Sequence, residues 1–178
     1  LNPDQTRLLD AIRVSGDLLL HHVNDVLELS RLEAEETEMN PARFDLERLA
    51  QALVDSQQAV ARKGRNTLVL RSNLNGSQLV TGDARLVQKS MLNLIGNALK
   101  FTQNGEVSVE LDRLGGTAEV EIQISDTGPG ISEADLDRVF DDFVTIDPSF
   151  SRKTEGTGLG LAITKRMVEK MEGRIGVE

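Results

Sequence analysis

The stretch DARLVQKSMLNLIGNALKFT, Asp83 to Thr102, reads as a helix with two chemically distinct faces. Val87, Met91, Leu94, Ala98 and Phe101 recur at steps of four and three, the spacing of an apolar helical stripe. Lys89, Asn93, Asn97 and Lys100 keep the same rhythm on the far side. Asparagine is a mediocre helix former and gains little there unless something uses it. An amide oxygen can ligate a hard cation, and a lysine can meet a phosphate. Taken alone, such a face reads as an ordinary solvated surface; the stretches downstream reverse that reading.

The chain has 178 residues, 39% apolar and 28% charged, which is globular rather than disordered and enough for one domain plus an appendage. It has no Trp or Tyr and a formal net charge of −9, which argues against nucleic acid, whose binding is mostly Lys/Arg neutralisation of phosphate. Without cysteine there is neither a disulfide framework nor a thiolate metal site, and the neighbouring His21 and His22 do not form a spaced zinc set. No apolar run reaches bilayer length and no signal peptide opens the chain. The sequence therefore predicts a cytoplasmic protein or the cytoplasmic part of a larger one, reaching a membrane only through domains absent here. Both ends read as cut, the last residues GRIGVE in the manner of a strand.

Outward from the central helix, Asn2, Pro3 and Gln5 form a helix-start signal: cap, first helical position, and a side chain placed to reach back. A long helix is expected to about Glu36. In it Leu9, Ile12, Gly16, Leu19, Val23, Val26, Ser30 and Glu33 form a heptad seam, widened by Leu20 and Leu27. About thirty residues of helix extend roughly 45 Å. That predicts a helical bundle with a second copy of the chain, the alternative being a helix laid across its own domain. His21 and His22 lie off the seam centre and read as structural. The acidic cluster from Glu33 to Glu38 reads as a solvated helix end, and Asn40-Pro41 as a breaker that separates residues 1–40 from 41–178.

Beyond that boundary Asp45 caps a helix from Leu46 to about Lys63, with Leu46, Leu49, Leu53, Ser56 and Val60 inward, ended by Gly64. Short strands are predicted at Thr67 to Arg71 and around Leu79 to Thr81. A hairpin follows at Glu106 to Leu111 and Glu119 to Ser125 with one buried face. A loop-rich stretch from Asp126 to about Gly158 leads into a last helix that reaches Met171 and stops at Gly173. This order predicts an α+β fold, a two-layer sandwich with helices on one face of a mixed sheet.

Two loops carry chemistry. Asp126 continues the parity of Val120, Ile122 and Ile124, so its carboxylate is expected under the sheet, where it must find a donor. The turn Thr127-Gly128-Pro129-Gly130 follows at once and lets backbone approach a flat object closely. An adenine amino group would satisfy both; a capping Asp at a tight turn is the plainer alternative. SRKTEGTGLGL, Ser151 to Leu161, places Gly156, Gly158 and Gly160 at alternate positions before a helix start, where N–H groups can wrap phosphate oxygens, with Arg152 and Lys153 adding positive charge. It is neither a Walker loop nor a dinucleotide fingerprint.

Together NLIGNALKFT (Asn93 to Thr102), DTGPGI (Asp126 to Ile131), FDDF (Phe140 to Phe143) and GTGLGL (Gly156 to Leu161) resemble the four ATP-binding boxes of sensor histidine kinases. These belong to the GHKL superfamily with its Bergerat-type α/β sandwich. LLLHHVNDVLELSRLEAEE resembles the second helix of that family's dimerisation and phosphoacceptor hairpin.

The resemblance implies a homodimer through the first helix and a response-regulator receiver domain as partner. ATP and Mg²⁺ are the implied cofactors, the metal on Asn97 with Asn93 beside it, and Lys100 on phosphate oxygens. Asp126 would meet the adenine amine, with Gly128, Gly130 and Ile131 shaping its pocket. Phe140, Phe143 and the segment to Gly158 would form a lid. Arg152, Lys153, Gly156, Thr157, Gly158, Leu159 and Gly160 would close on the triphosphate.

Two departures stand out. FDDF lacks the proline commonly found between the phenylalanines, and no His here precedes an acid with a proline a few positions on. The fragment is therefore expected not to phosphorylate itself. A non-catalytic ATP-sensing dimer or scaffold is the alternative. A GHKL ATPase is disfavoured because Asn93 stands where those enzymes place a water-activating glutamate.

Overall fold

A computed structural model describes residues 2–34, 38–74, 79–115, 118–144 and 157–178. The first helix, α1 (Pro3–Glu33), opens with the expected capping box. Gln5 N–H donates to Asn2 Oδ1 at 2.8 Å, and Asn2 N–H donates to Gln5 Oε1 at 3.0 Å. Ala34 closes it, so the described helix ends before the expected Glu36, and residues 35–37 fall outside the described ones.

Strand β1 (Ala42–Asp45) runs directly into α2 (Leu46–Lys63), where Asp45 Oδ1 accepts from Arg48 N–H at 2.9 Å and Gly64 caps the far end. β2 (Thr67–Ser72), β3 (Leu79–Gly82) and α3 (Ala84–Phe101) follow. Asp83 caps α3 and Thr102 ends it, so the helix sits within one residue of its predicted bounds. β4 (Glu106–Arg113), β5 (Val120–Asp126), the short α4 (Glu133–Leu136) and α5 (Gly160–Lys170) complete the order. The C-terminal residues Gly173–Glu178 are not in a strand, contrary to the sequence expectation.

The strands form two sheets. β1 pairs antiparallel with β3, Phe44 opposite Val80. β4 is the middle of the other sheet, parallel to β2 with Val109 opposite Leu70, and antiparallel to β5 with Val109 opposite Ile124. The mixed sheet was anticipated; β1 and its separate pairing were not.

The main core lies between α2 and α3 on one side and the three-stranded sheet on the other. Leu46, Ala50, Leu53, Val54 and Ala61 of α2 meet Met91, Ile95, Ala98 and Leu99 of α3 over Leu68, Val107, Val109 and Leu111. Full burial of one such side chain is worth about 1.5–3 kcal/mol. Two expectations about these stripes fail. Val60 is 48% exposed and Ser56 is exposed, because the inward stripe of α2 runs through Ala50, Val54 and Ala61 instead. Phe101, at the last position of α3, is 39% exposed.

A second cluster joins Leu29 and Leu32 of α1 to Leu86 of α3 and to Leu159, Ile163 and Met167 at and in α5. The seam residues Leu9, Ile12, Leu19, Leu20, Val23, Val26 and Leu27 remain exposed. Among the described residues, α1 therefore docks on its own chain near its C-terminal end, by a face other than the seam. No described helix is long and apolar enough to cross a membrane.

Candidate nucleotide-binding site

α3 is the common floor of the predicted site. At its C-terminal end the DTGPG turn packs on the helix: a Cβ on Gly128 would lie 3.2 Å from Phe101 O and 2.6 Å from Asp126 Oδ1. Nearer its middle the glycine-rich segment packs on the same helix. A Cβ on Gly160 would lie 2.7 Å from Asn93 Oδ1, so any larger residue there would displace the Asn93 amide. Asn97 and Lys100 occupy the turns between these two contacts.

Asn93 Nδ2 donates to Gly160 O and, at 2.6 Å, to Thr164 Oγ1, whose own hydroxyl donates back to Gly160 O at 3.0 Å. Its amide is therefore engaged in holding α5. Asn97 takes no hydrogen bond from the described residues. Lys100 lies half-buried with Nζ 5.0 Å from the Phe101 ring centroid, and burial pushes its pKa down. An ammonium held partly out of water in this way is a natural donor to anionic oxygens.

Asp126 departs from its expectation. Its parity follows Ile122 and Ile124, yet at the strand end the carboxylate is exposed rather than buried under the sheet. Oδ1 accepts from Gly128 N–H at 2.7 Å and from Thr102 Oγ1 at 3.2 Å. No described residue donates to Oδ2.

The remaining predicted residues fall around this floor. Gly130 has φ +73°, a left-handed turn that glycine adopts without strain, and Ile131 is 37% exposed. Phe140 is half-buried and Phe143 is 68% exposed with φ 61°. Gly158, with φ +70°, packs so closely that a Cβ would lie 2.8 Å from the carbonyl carbon of Phe143. The FDDF box is further tied to α5 by a fork between Asp142 and Arg166, 2.7 and 2.8 Å long, which holds the Asp142 carboxyl below its usual range. Arg152, Lys153, Gly156 and most of the expected lid lie outside the described residues.

Sequence reasoning missed three things here. Thr157 Oγ1 donates to Asp25 Oδ2 of α1 at 2.9 Å and accepts from Leu159 N–H at 3.1 Å. Beside it Lys89 of α3 pairs with Glu28 of α1. Asn66, buried after α2, donates to Thr102 O at 2.7 Å and accepts from Gly105 N–H at 3.1 Å. Asp25 and Glu28 share one side of α1 with Leu29 and Leu32, a stripe distinct from the seam, and that second periodicity was the available signal.

Comparison with known proteins gives the family of this fold. The profile of histidine kinase-, DNA gyrase B- and HSP90-like ATPases matches residues 82–178. The chain is 38% identical over 180 residues to the circadian input-output histidine kinase CikA of Synechococcus elongatus, covering 100% of this chain and 24% of that protein. It is 39% identical over 183 residues to the signal transduction histidine-protein kinase BarA of Escherichia coli K12, covering 98% of this chain and 19% of that protein. The chain thus spans about a quarter or less of these relatives.

Among solved structures, full-length ShkA in complex with AMPPNP superposes with a TM-score of 0.85 at 32% identity, over 100% of this chain and 36% of that one. The histidine kinase ThkA in complex with the response regulator protein TrrA shares the fold, with a TM-score of 0.73 at 20% identity over 97% and 47%. The chain belongs to the histidine kinase-, DNA gyrase B- and HSP90-like ATPase family.

Proposed function

We propose that this chain is the ATP-binding catalytic portion of a two-component sensor histidine kinase. It would serve transfer of the γ-phosphoryl group to a histidine on a helix outside this sequence, and thence to a response-regulator aspartate. The observation that carries the reading is the placement of two glycine-bearing loops on one helix. From Asn93 to Thr102 α3 rises about 13 Å, with Asn97 and Lys100 between the loops. A nucleoside triphosphate laid along that floor puts its base at Asp126 and its phosphates at Asn97, Lys100 and the start of α5.

Each residue then has a task. Asp126 accepts from the base, with Gly128, Gly130 and Ile131 against its plane. Lys100 and the N–H groups from Thr157 to Gly160 meet phosphate oxygens, with Arg152, Lys153 and Gly156 in the same segment. Phe140 and Phe143 close over the nucleotide. Magnesium would be held by Asn97 with Asn93 beside it, neutralising charge on the phosphates. Among the described residues no three His, Asp or Glu side chains converge, so phosphate and water would supply the other ligands.

In-line attack by an imidazole nitrogen on the γ-phosphorus, with ADP leaving, depends chiefly on positioning. Residues 1–40 would be the second helix of the dimerisation hairpin, its exposed seam meeting a second copy, and residues 41–178 the catalytic domain. His22 is a poor acceptor: its Nε2 is buried without a hydrogen bond to any described residue.

Incubation with γ-labelled ATP tests the assignment. The chain should bind Mg-ATP without labelling itself, and should label in trans a helix carrying the family's acceptor histidine. Phosphohistidine is acid-labile and base-stable, so acid-labile label on this chain that disappears in a His21→Ala, His22→Ala double variant would move the acceptor into α1.

A further inference from the structure

Between the core and the proposed base site runs a buried polar strut that the nucleotide-binding reading leaves without a role. Asn66 is 8% exposed and fixes both sides of the turn after α3, through Thr102 O and Gly105 N–H. Thr102 is 1% exposed, held by that bond and by its own N–H to Ala98 O. Gly105 crowds it: a Cβ there would lie 2.8 Å from Thr102 Cγ2 and 2.2 Å from Thr127 Oγ1. With backbone and methyl both fixed, the Thr102 hydroxyl has little freedom, and it points at Asp126 Oδ1, 3.2 Å away.

Oδ1 thus receives two donors, the Thr102 hydroxyl and the Gly128 N–H. A carboxylate held at one oxygen cannot swivel, and the other oxygen is presented to the site as a bare acceptor. A fixed acceptor matches a base that offers an amino group at that place. It opposes one that offers a carbonyl oxygen, because two acceptors face each other without a shared proton. A carboxylate free to turn would discriminate less, since it could find ring N–H donors on the wrong base.

We propose that Thr102 is a positioning residue for nucleobase selection: by pinning Asp126 Oδ1 it fixes Oδ2 as the atom that distinguishes a 6-amino purine from a 6-oxo purine. This rests on the assignment of Asp126 to the base. It differs from that assignment in predicting that a residue out of reach of the ligand controls selectivity.

The test compares ATP with inosine triphosphate, which differs at the purine 6-position, by titration calorimetry on the full chain. Wild type should favour ATP. Thr102→Val and Thr102→Ala, which both remove the hydroxyl, should each lower ATP affinity roughly three- to tenfold, part of the worth of the hydroxyl–carboxylate bond, with little change for inosine triphosphate. Thr102→Ser, which keeps the hydroxyl, should restore most of the preference. A merely structural loss would weaken both nucleotides alike, so an unchanged ratio in whichever hydroxyl-free variant folds overturns the proposal. Wild type that binds neither nucleotide would instead overturn the nucleotide site itself.

Discussion

Thr157, at the start of the last glycine-bearing turn, hangs from Asp25 of α1, 132 residues earlier, by a 2.9 Å hydrogen bond. The same Thr157 oxygen accepts from Leu159 N–H, so one amide of the proposed phosphate cradle is satisfied only while the hydroxyl stays in place. A hydrogen bond to a charged group contributes roughly 1.5–3 kcal/mol. Asp25→Ala should therefore speed hydrogen exchange at Leu159 and its neighbours in α5 while leaving β4 unchanged. Equal protection in variant and wild type would show that α1 does not hold this turn.

Asp126→Asn should weaken ATP binding on the order of ten- to a hundredfold, because a charge-assisted hydrogen bond becomes at best a neutral one. The exposed position of the carboxylate makes the change tolerable to the fold, so the loss should appear in calorimetry without a drop in melting temperature. Unchanged affinity in the folded variant would remove Asp126 from the base site.

Asn97→Ala should cost affinity mainly when magnesium is present, since its amide takes no bond from the described residues and is available to a cation. Titrations with and without EDTA make the comparison. Asn93→Ala should behave differently, because it also frees Gly160 O and Thr164 and so should lower the melting temperature. A loss for Asn97→Ala that is the same in both buffers would place the residue outside the metal site.

Asp83 gives a pH dependence with a definite sign. Its carboxylate is 1% exposed and accepts from Arg85 Nη2 at 2.8 Å, Arg85 Nε at 3.1 Å, Asn40 N–H at 2.9 Å and Arg85 N–H at 3.0 Å. The Arg85 side chain is the main cause that holds its pKa well below the ordinary carboxylate value, against the opposing pull of burial. A depressed folded pKa means that the stabilisation is complete above the unfolded value of about 3.9 and is lost progressively below it. Thermal unfolding should therefore soften as pH falls below about 4, with a shallower slope in Asp83→Asn. Parallel slopes would show that Asp83 is not the titrating group.

Much of this was legible in the sequence because it is local. The bounds of α3 follow from Asp83 and Thr102, the capping box of α1 from residues three apart, and the four motifs from contiguous runs. What failed was depth and distance. Parity put Asp126 on the correct face of β5 but said nothing of how far the sheet covers it. β1 has four residues, ARFD, with too little alternation to mark a strand, and its partner β3 lies beyond the whole of α2. The stripe through Val60 was one residue, about 100° of helix, away from the stripe that Ala50, Val54 and Ala61 bury, since alanine carries a weak apolar signal. The bonds from Asn93 Nδ2 to Gly160 O and Thr164 Oγ1 were not legible either, because those partners are about seventy positions downstream.

The contacts of Leu29, Leu32, Asp25 and Glu28 with α3 and the start of α5 make a joint of three helices, and a joint stores free energy without regard to which side loads it. Suppose that filling the site loosens α1 from Leu159 and Lys89. Then a torque that lifts α1 away must tighten the grip on that ligand by the same factor, since the coupling is a single quantity read from either end. α1 would then act as a gauge as well as a lever, its position reporting occupancy and its displacement altering it.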